Sequence, residues 1–203
     1  MSTVACIIIA SERRKDLVRD RVLPSVLAQG FDETLVVGDW MMSEVRPEPG
    51  FATVRYACVE PLRHDTVDAL VKRDVGTIMT HADVLVFLCD DHALGPNFLA
   101  TLREVIDEEW DVVVPNRFCI RSDKDVERER IALNNGERDG YCGGHAGVFR
   151  RELVESRPWS AHSHSKYWDA RISYSQRLAG ARFIWHPRAG IAVEDVEGGT
   201  PWL

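Results

Sequence analysis

The chain has 203 residues, 45% of them hydrophobic and 28% charged, with a net charge of -7. That length suffices for one domain with a full hydrophobic core. The acidic balance argues against a broad nucleic-acid surface, although it leaves room for a local basic patch. Cys6, Cys58, Cys89, Cys119 and Cys142 lie at irregular spacing without a CxxC, which reads as reduced thiols in a cytoplasmic protein rather than a disulfide framework. Cys6, Cys58 and Cys89 sit in or beside apolar runs and are expected to be buried. No basic region followed by a long apolar stretch opens the chain, so neither a signal peptide nor a membrane span is expected.

In chain order, Val4–Ala10 is an apolar β-rich run and the predicted first strand. Helical spacing of Leu17, Val18, Val22, Val26 and Leu27 predicts a helix over Asp16–Gln29, kinked or broken at Pro24 and closed by Gly30. Glu33–Asp39 is a second strand ending in an acid, Ser43–Gly50 a loop, and Phe51–Val59 a third strand. Thr66–His81 reads as a helix with Val67, Leu70, Val71, Val75 and Ile78 on its core face. Trp110–Pro115 is a further strand, and the charge-rich Arg117–Arg138 reads as a loop or exposed helix over the site. A glycine-dense Tyr141–Phe149 precedes a short helix over Arg150–Ser156 and a polar loop over Ala161–Lys166. Tyr167–Ala179 is a helix ended by Gly180, and Ala181–His186 and Gly190–Val193 are short strands. Alternation of strand and helix through the first half implies a mostly parallel α/β sheet covered by helices, with no domain boundary inside 1–203.

The central segment is Ala82–Leu99. Val84–Leu88 is apolar without alternation, as suits a strand buried on both faces of a parallel sheet. It ends in Asp90, Asp91 and His92, at the strand end where open α/β sheets bind ligands. A helix is predicted over Asn97–Glu109, with Pro96 or Asn97 in its first turn. The two acids have a structural alternative as caps of that helix. Capping needs one acid, not two and a histidine, and the cluster reads as a metal–phosphate site.

Taken together and in order, these segments resemble the GT-A (Rossmann-like) glycosyltransferases, specifically the family-2-like inverting enzymes. The resemblance is carried by VACIIIASERRKDLVRDRVLPSVLAQ, TLVVGD, VKRDVGTIMTHADVLVFLCDDH, GGHAGVFRREL and YWDARISYSQRLAGARFIWHPRAG. It implies a single-domain enzyme moving a sugar from a nucleoside-diphosphate donor, a UDP-sugar by preference, to a hydroxyl acceptor. Ala10, Ser11, Glu12 and Asp39 would line the nucleotide pocket, with Asp39 on the base. Arg73 would offset the diphosphate charge, and Gly143 and Gly144 would allow close backbone approach. The metal-binding DxD falls on Cys89-Asp90-Asp91. Mn²⁺ or Mg²⁺ prefers oxygen ligands, so Asp91 and Asp90 are the expected ligands, with His92 a candidate. Asp169 is the expected general base; where the family has Glu-Asp, this chain has Trp168-Asp169. The histidine that many relatives carry after the last strand is missing near Val193, where Glu194 and Asp195 follow. An acid would replace it, or His162, His164 or His186 would approach from elsewhere.

The acceptor class stays open among a glycan, a lipid, a protein side chain and a hydroxymethylated DNA base, the last disfavoured by the charge. Two rivals remain. A nucleotidyltransferase of related layout would want a glycine-rich basic loop after the first strand, where SERRK has no glycine. A catalytically decayed nucleotide-binding scaffold would explain Cys89 and the absent histidine.

Overall fold

The computed structural model describes residues 2–39, 54–60, 65–119, 146–162, 168–185 and 192–195. Among them a seven-stranded sheet runs in the order β3-β2-β1-β4-β8-β6-β9. Its strands are β1 (Val4–Ile9), β2 (Glu33–Gly38), β3 (Val54–Cys58), β4 (Val84–Cys89), β6 (Val112–Val114), β8 (Ala146–Arg150) and β9 (Phe183–Trp185). The pairs β3/β2, β2/β1, β1/β4 and β6/β9 are parallel. β8 runs antiparallel to both β4 and β6. The α/β, mostly parallel architecture expected from the alternation is therefore present.

β1 is buried along its whole length and β4 along all but its last residue, as their unbroken apolar runs require. Alternate side chains divide between the two faces. On one face Val4, Cys6, Ile8, Val84, Val86 and Leu88 meet Val18, Val22, Leu23 and Val26, together with Phe98, Leu99, Leu102 and Val105 of α4 (Phe98–Val105). On the other, Ala5, Ile7, Ile9, Leu85 and Phe87 meet Leu70 of α3 (Asp65–Met79), Val154 of α5 (Arg151–Glu155) and Ile172 of α6 (Trp168–Leu178). There Phe87, Phe149 and Trp159 pack edge to face with centroids 5.0 to 5.8 Å apart.

Several elements differ from the sequence reading. The first helix is not broken at Pro24. α1 (Lys15–Leu17) and α2 (Leu23–Leu27) join through a π-helical turn at Val18–Val22, in which Leu23 N–H reaches back to Val18 O. The widened turn lies just ahead of Pro24, the residue with no N–H to donate. Gly30 and Gly180 end their helices at φ +74° and +86°, where a side chain would be strained.

A second sheet was not foreseen. β5 (His92–Leu94), β10 (Ala192–Asp195) and β7 (Asn116–Cys119) form it in the order β5-β10-β7. β7 falls at the start of the expected Arg117–Arg138 loop, whose remainder lies outside the described residues. β5 separates Asp90 and Asp91 from α4, so neither acid caps that helix. Asn97 holds the N-cap position without a side-chain bond, and the helix stops at Val105 rather than Glu109. The polar segment after Pro158 begins as a 3-10 turn, Trp159–His162. Cys58 is exposed, against expectation, while Cys6 is buried. No helix among the described residues is long and apolar enough to cross a membrane.

The face of α3 is a further correction. Ile78, assigned to the core by periodicity, is 77% exposed. The buried positions among its described side chains are Asp68, Leu70, Lys72, Arg73, Gly76 and Thr77, with Thr80 just beyond its end. The helix buries cations because they have partners at the site described below, and it lies tight on the sheet because Gly76 has no side chain. A Cβ there would stand 2.5 Å from Ile7 Cγ2, a β-branched methyl fixed in the core. Gly76→Ala is therefore expected to cost about 1–3 kcal/mol by overpacking, despite alanine's better helix propensity. Urea unfolding measures this, and a stabilised variant would contradict the close contact.

Candidate functional site

Three parallel strands, β2, β1 and β4, end side by side, and the polar residues that follow them face one another. The β1/β4 register runs from Val4 opposite Val84 to Ile9 opposite Cys89, so Ala10 and Ser11 leave the sheet beside Asp90 and Asp91.

Asp90 is 5% exposed and points back into the fold. Its Oδ2 accepts from Ser11 N (2.8 Å) and Ser11 Oγ (2.6 Å), and its Oδ1 from Arg14 Nη1 (2.9 Å). Between those partners the chain makes a 3-10 turn, Glu12–Arg14, closed by Arg14 N to Ser11 O at 3.0 Å. One carboxylate thus holds both ends of the turn. Asp91, with 18% of its side chain exposed, is the more open acid. Its Oδ1 accepts from Nδ1 of the buried His92 at 2.5 Å, and its Oδ2 lies 3.2 Å from Arg14 Nη1. Cys89 precedes them, and burial pushes its thiol up to about 11 against the pull of Arg73. A neutral thiol is a poor ligand for a hard cation.

A second network lies beneath the end of β2. Lys72, 2% exposed, donates to Ala10 O at 2.9 Å, pairs with Asp68, and lies 3.4 Å from Asp39 Oδ2. Asp39 Oδ1 is buried with no partner among the described residues. Arg73 is also buried, its guanidinium 3.7 Å from Cys89 Sγ and 5.5 Å from the Trp159 ring centre. Asp74 accepts from Trp159 N (2.7 Å) and Ser160 N (2.9 Å), fixing the turn that carries the tryptophan.

No protein-family model matches the chain, and no curated protein matches it by sequence. Solved structures do match. The mannosyltransferase PcManGT from Pyrobaculum calidifontis, in complex with GDP-Man and Mn²⁺, superposes with a TM-score of 0.67 at 16% identity, over 96% of this chain and 57% of that one. This is a GT-A-like glycosyltransferase fold. S. aureus TarS shares it, with a TM-score of 0.68 at 15% identity over 92% of this chain and 36% of that one. A shorter TarS fragment gives 0.65 at 13% identity, over 92% and 59%. This chain therefore spans less than two thirds of the length of these GT-A-like neighbours.

Of the residues singled out from sequence, the GT-A-like framework brings Ala10, Ser11, Asp39, Arg73, Asp90, Asp91 and His92 to one end of the sheet. Glu12 is exposed on the turn above it. Asp169 lies in the first turn of α6, and its side chain is outside the described residues, as are Gly143, Gly144 and His164. Backbone pairing sets Asp195 opposite His92 and Glu194 opposite Ala93. Glu194 and Asp195 thus end the strand that pairs with the segment following Asp91.

Sequence reasoning passed over Lys72, Asp68 and Arg14. The i,i+4 spacing of Asp68 and Lys72 was a visible signal of a pair. Arg14 lay in a run, ERRK, that reads as solvated charge.

Among the described residues no group of three His, Cys, Asp or Glu side chains is placed to hold a metal ion. Such a cage is not what a diphosphate-bound divalent ion requires. Mg²⁺ is commonly held by one or two carboxylates plus substrate phosphates, and Asp91 offers one partly exposed carboxylate. Among the described residues, Lys72 lies between Asp39 and Asp68, and Arg14 between Asp90 and Asp91.

The two acids that follow β4 are expected to behave differently on substitution. Asp90→Asn removes an acceptor for Ser11 and half of a buried ion pair, and should cost about 2–4 kcal/mol. Asp91→Asn should stay within about 1 kcal/mol. Equal losses in chemical denaturation would contradict the division of roles.

Proposed function

We propose that the chain is a metal-dependent, inverting glycosyltransferase acting as one domain over residues 1–203. It takes a sugar from a nucleoside-diphosphate donor, a UDP-sugar by preference, to a hydroxyl acceptor. The observation that carries this reading is the placing of Asp39 and Asp91 at the ends of the two strands flanking β1, in a fold shared with glycosyltransferases. A nucleotide laid across that edge has its base at Asp39 and its diphosphate at Asp91.

Each residue then has a chemical task. The unpartnered Oδ1 of Asp39 accepts an N–H of the base, and Lys72 holds the other oxygen in place. Ala10, Ser11 and Glu12 line the nucleotide, their backbone fixed through Asp90. Asp91 is the principal ligand for Mn²⁺ or Mg²⁺. His92 orients it, and Asp90 supports it from behind. The ion supplies Lewis-acid stabilisation of the departing diphosphate. Arg73 adds positive charge from within the fold. Asp169 takes the proton of the acceptor hydroxyl as its oxygen attacks the anomeric carbon from the face opposite the diphosphate, which inverts that centre. Gly143 and Gly144 line the acceptor side. We place the protein in the cytoplasm, in keeping with the free thiols of Cys6, Cys58 and Cys89. Glycan, lipid, protein and hydroxymethylated-base acceptors remain candidates, with nucleic acid the least favoured.

The test is a thermal-shift panel of UDP, GDP, CDP, ADP and dTDP, each with Mn²⁺, Mg²⁺ or EDTA. A ligand at 100 times its dissociation constant stabilises by about 2.7 kcal/mol. One nucleotide should give a metal-dependent shift that Asp91→Ala abolishes. No shift with any nucleotide would overturn the reading, and a shift without sugar transfer or donor hydrolysis would favour the decayed scaffold.

A further inference from the structure

Arg14 makes a contact that the proposed function does not use. Its Nη1 bridges two adjacent carboxylates, 2.9 Å from Asp90 Oδ1 and 3.2 Å from Asp91 Oδ2. A divalent ion ligated by Asp91 would meet this positive charge on the oxygen it needs. We propose that Arg14 competes with the metal for Asp91, and that the donor's diphosphate relieves the competition by drawing the guanidinium onto itself. Metal and nucleotide then bind as a coupled pair. This inference rests on the reading of Asp91 as the metal ligand.

The two halves of the bridge are unequal in a way that suits such a movement. Asp90 is buried and held on its other oxygen by Ser11 N and Oγ, so it stays in place. The Asp91 contact is longer, and Asp91 is the more exposed of the two acids. The main chain of Arg14 is closed into its turn by the bond to Ser11 O, so only the side chain has to swing. A guanidinium has donors in a planar fork that matches phosphate oxygens as well as carboxylates. Transfer from Asp91 to a diphosphate exchanges one ion pair for another and frees an oxygen ligand as the ion arrives. His92 keeps Asp91 oriented meanwhile through Oδ1. The bridge also balances the two acids where the charges would otherwise repel, which gives Arg14 a role in both arrangements.

Coupling of this kind is reciprocal: a nucleotide that tightens the metal is tightened by it to the same degree. The experiment is a calorimetric titration of MnCl₂ into the full chain, alone and with saturating UDP or GDP, for the wild type, Arg14→Gln and Arg14→Lys. Asp91→Ala identifies the site's share of the heat. The wild type should bind Mn²⁺ weakly alone and at least ~10-fold more tightly with nucleotide. Arg14→Gln should tighten Mn²⁺ alone by ~10-fold, as expected for removing a charge near the ion, and should shrink the nucleotide's effect. Arg14→Lys keeps a charge for Asp90 but shortens the reach to Asp91. It should move Mn²⁺ alone in the same direction by ~3-fold, so the test survives if the glutamine variant does not fold. A wild type with coupled binding, and variants whose affinity for Mn²⁺ alone is unchanged or weaker, would overturn the role of Arg14 and leave the transferase reading standing. A wild type whose nucleotide binding is indifferent to metal would overturn both.

Discussion

The site depends on one buried carboxylate. Asp90 sits where two parallel core strands, β1 and β4, run out of sheet, and a charge left there without partners would be costly. Its partners come from the chain leaving β1: the backbone and hydroxyl of Ser11 and the guanidinium of Arg14. The same contacts that satisfy the charge therefore fix the turn over the strand ends. They also leave the next acid, Asp91, as the more exposed of the two. Of the two adjacent aspartates, one is buried into the fold and the other is partly exposed.

The second arm follows the same logic from the helix side. α3 carries Lys72 and Arg73 on the face that a helix ordinarily fills with apolar residues, and Gly76 brings that face close to Ile7. The close approach lets Lys72 reach both Ala10 O and Asp39. Packing against the sheet and positioning of Asp39 are thus parts of one arrangement. The Phe87–Phe149–Trp159 cluster and the Asp74 cap hold the other side of Arg73. In this account the site is built on rigid strand ends and one tight turn, a geometry suited to holding a charged donor with little rearrangement.

Much of the framework was legible in the sequence because its signals are local. VACIII and VLVFL can only be buried strands, and the alternation with helices forces them parallel. The cluster Asp90-Asp91-His92 at the end of such a strand marked the site. Other features resisted because they depend on distant pairing. β5, β7 and β10 are three or four residues each, too short to carry a period, and exist because they pair with one another. The buried face of α3 was misplaced at Ile78 because apolar periodicity cannot foresee cations that are buried against Ala10, Asp39, Cys89 and Trp159, all distant in the chain. Arg14 carries no local mark of its role, and the i,i+4 spacing of Asp68 and Lys72 marks only their own pair. The significance of Arg14 and Lys72 lies in contacts to Asp90, Asp91, Ala10 and Asp39, far away in the chain.

The central claim is that Asp91 binds the metal while Asp90 holds the fold. Crystals grown with Mn²⁺ and the nucleoside diphosphate that stabilises the chain test it most directly, by anomalous scattering at the manganese edge. The account expects one peak within coordination distance of an Asp91 oxygen and the diphosphate, with Asp90 still bonded to Ser11. A peak on Asp90 with Asp91 turned away, or no peak beside a bound diphosphate, would contradict it.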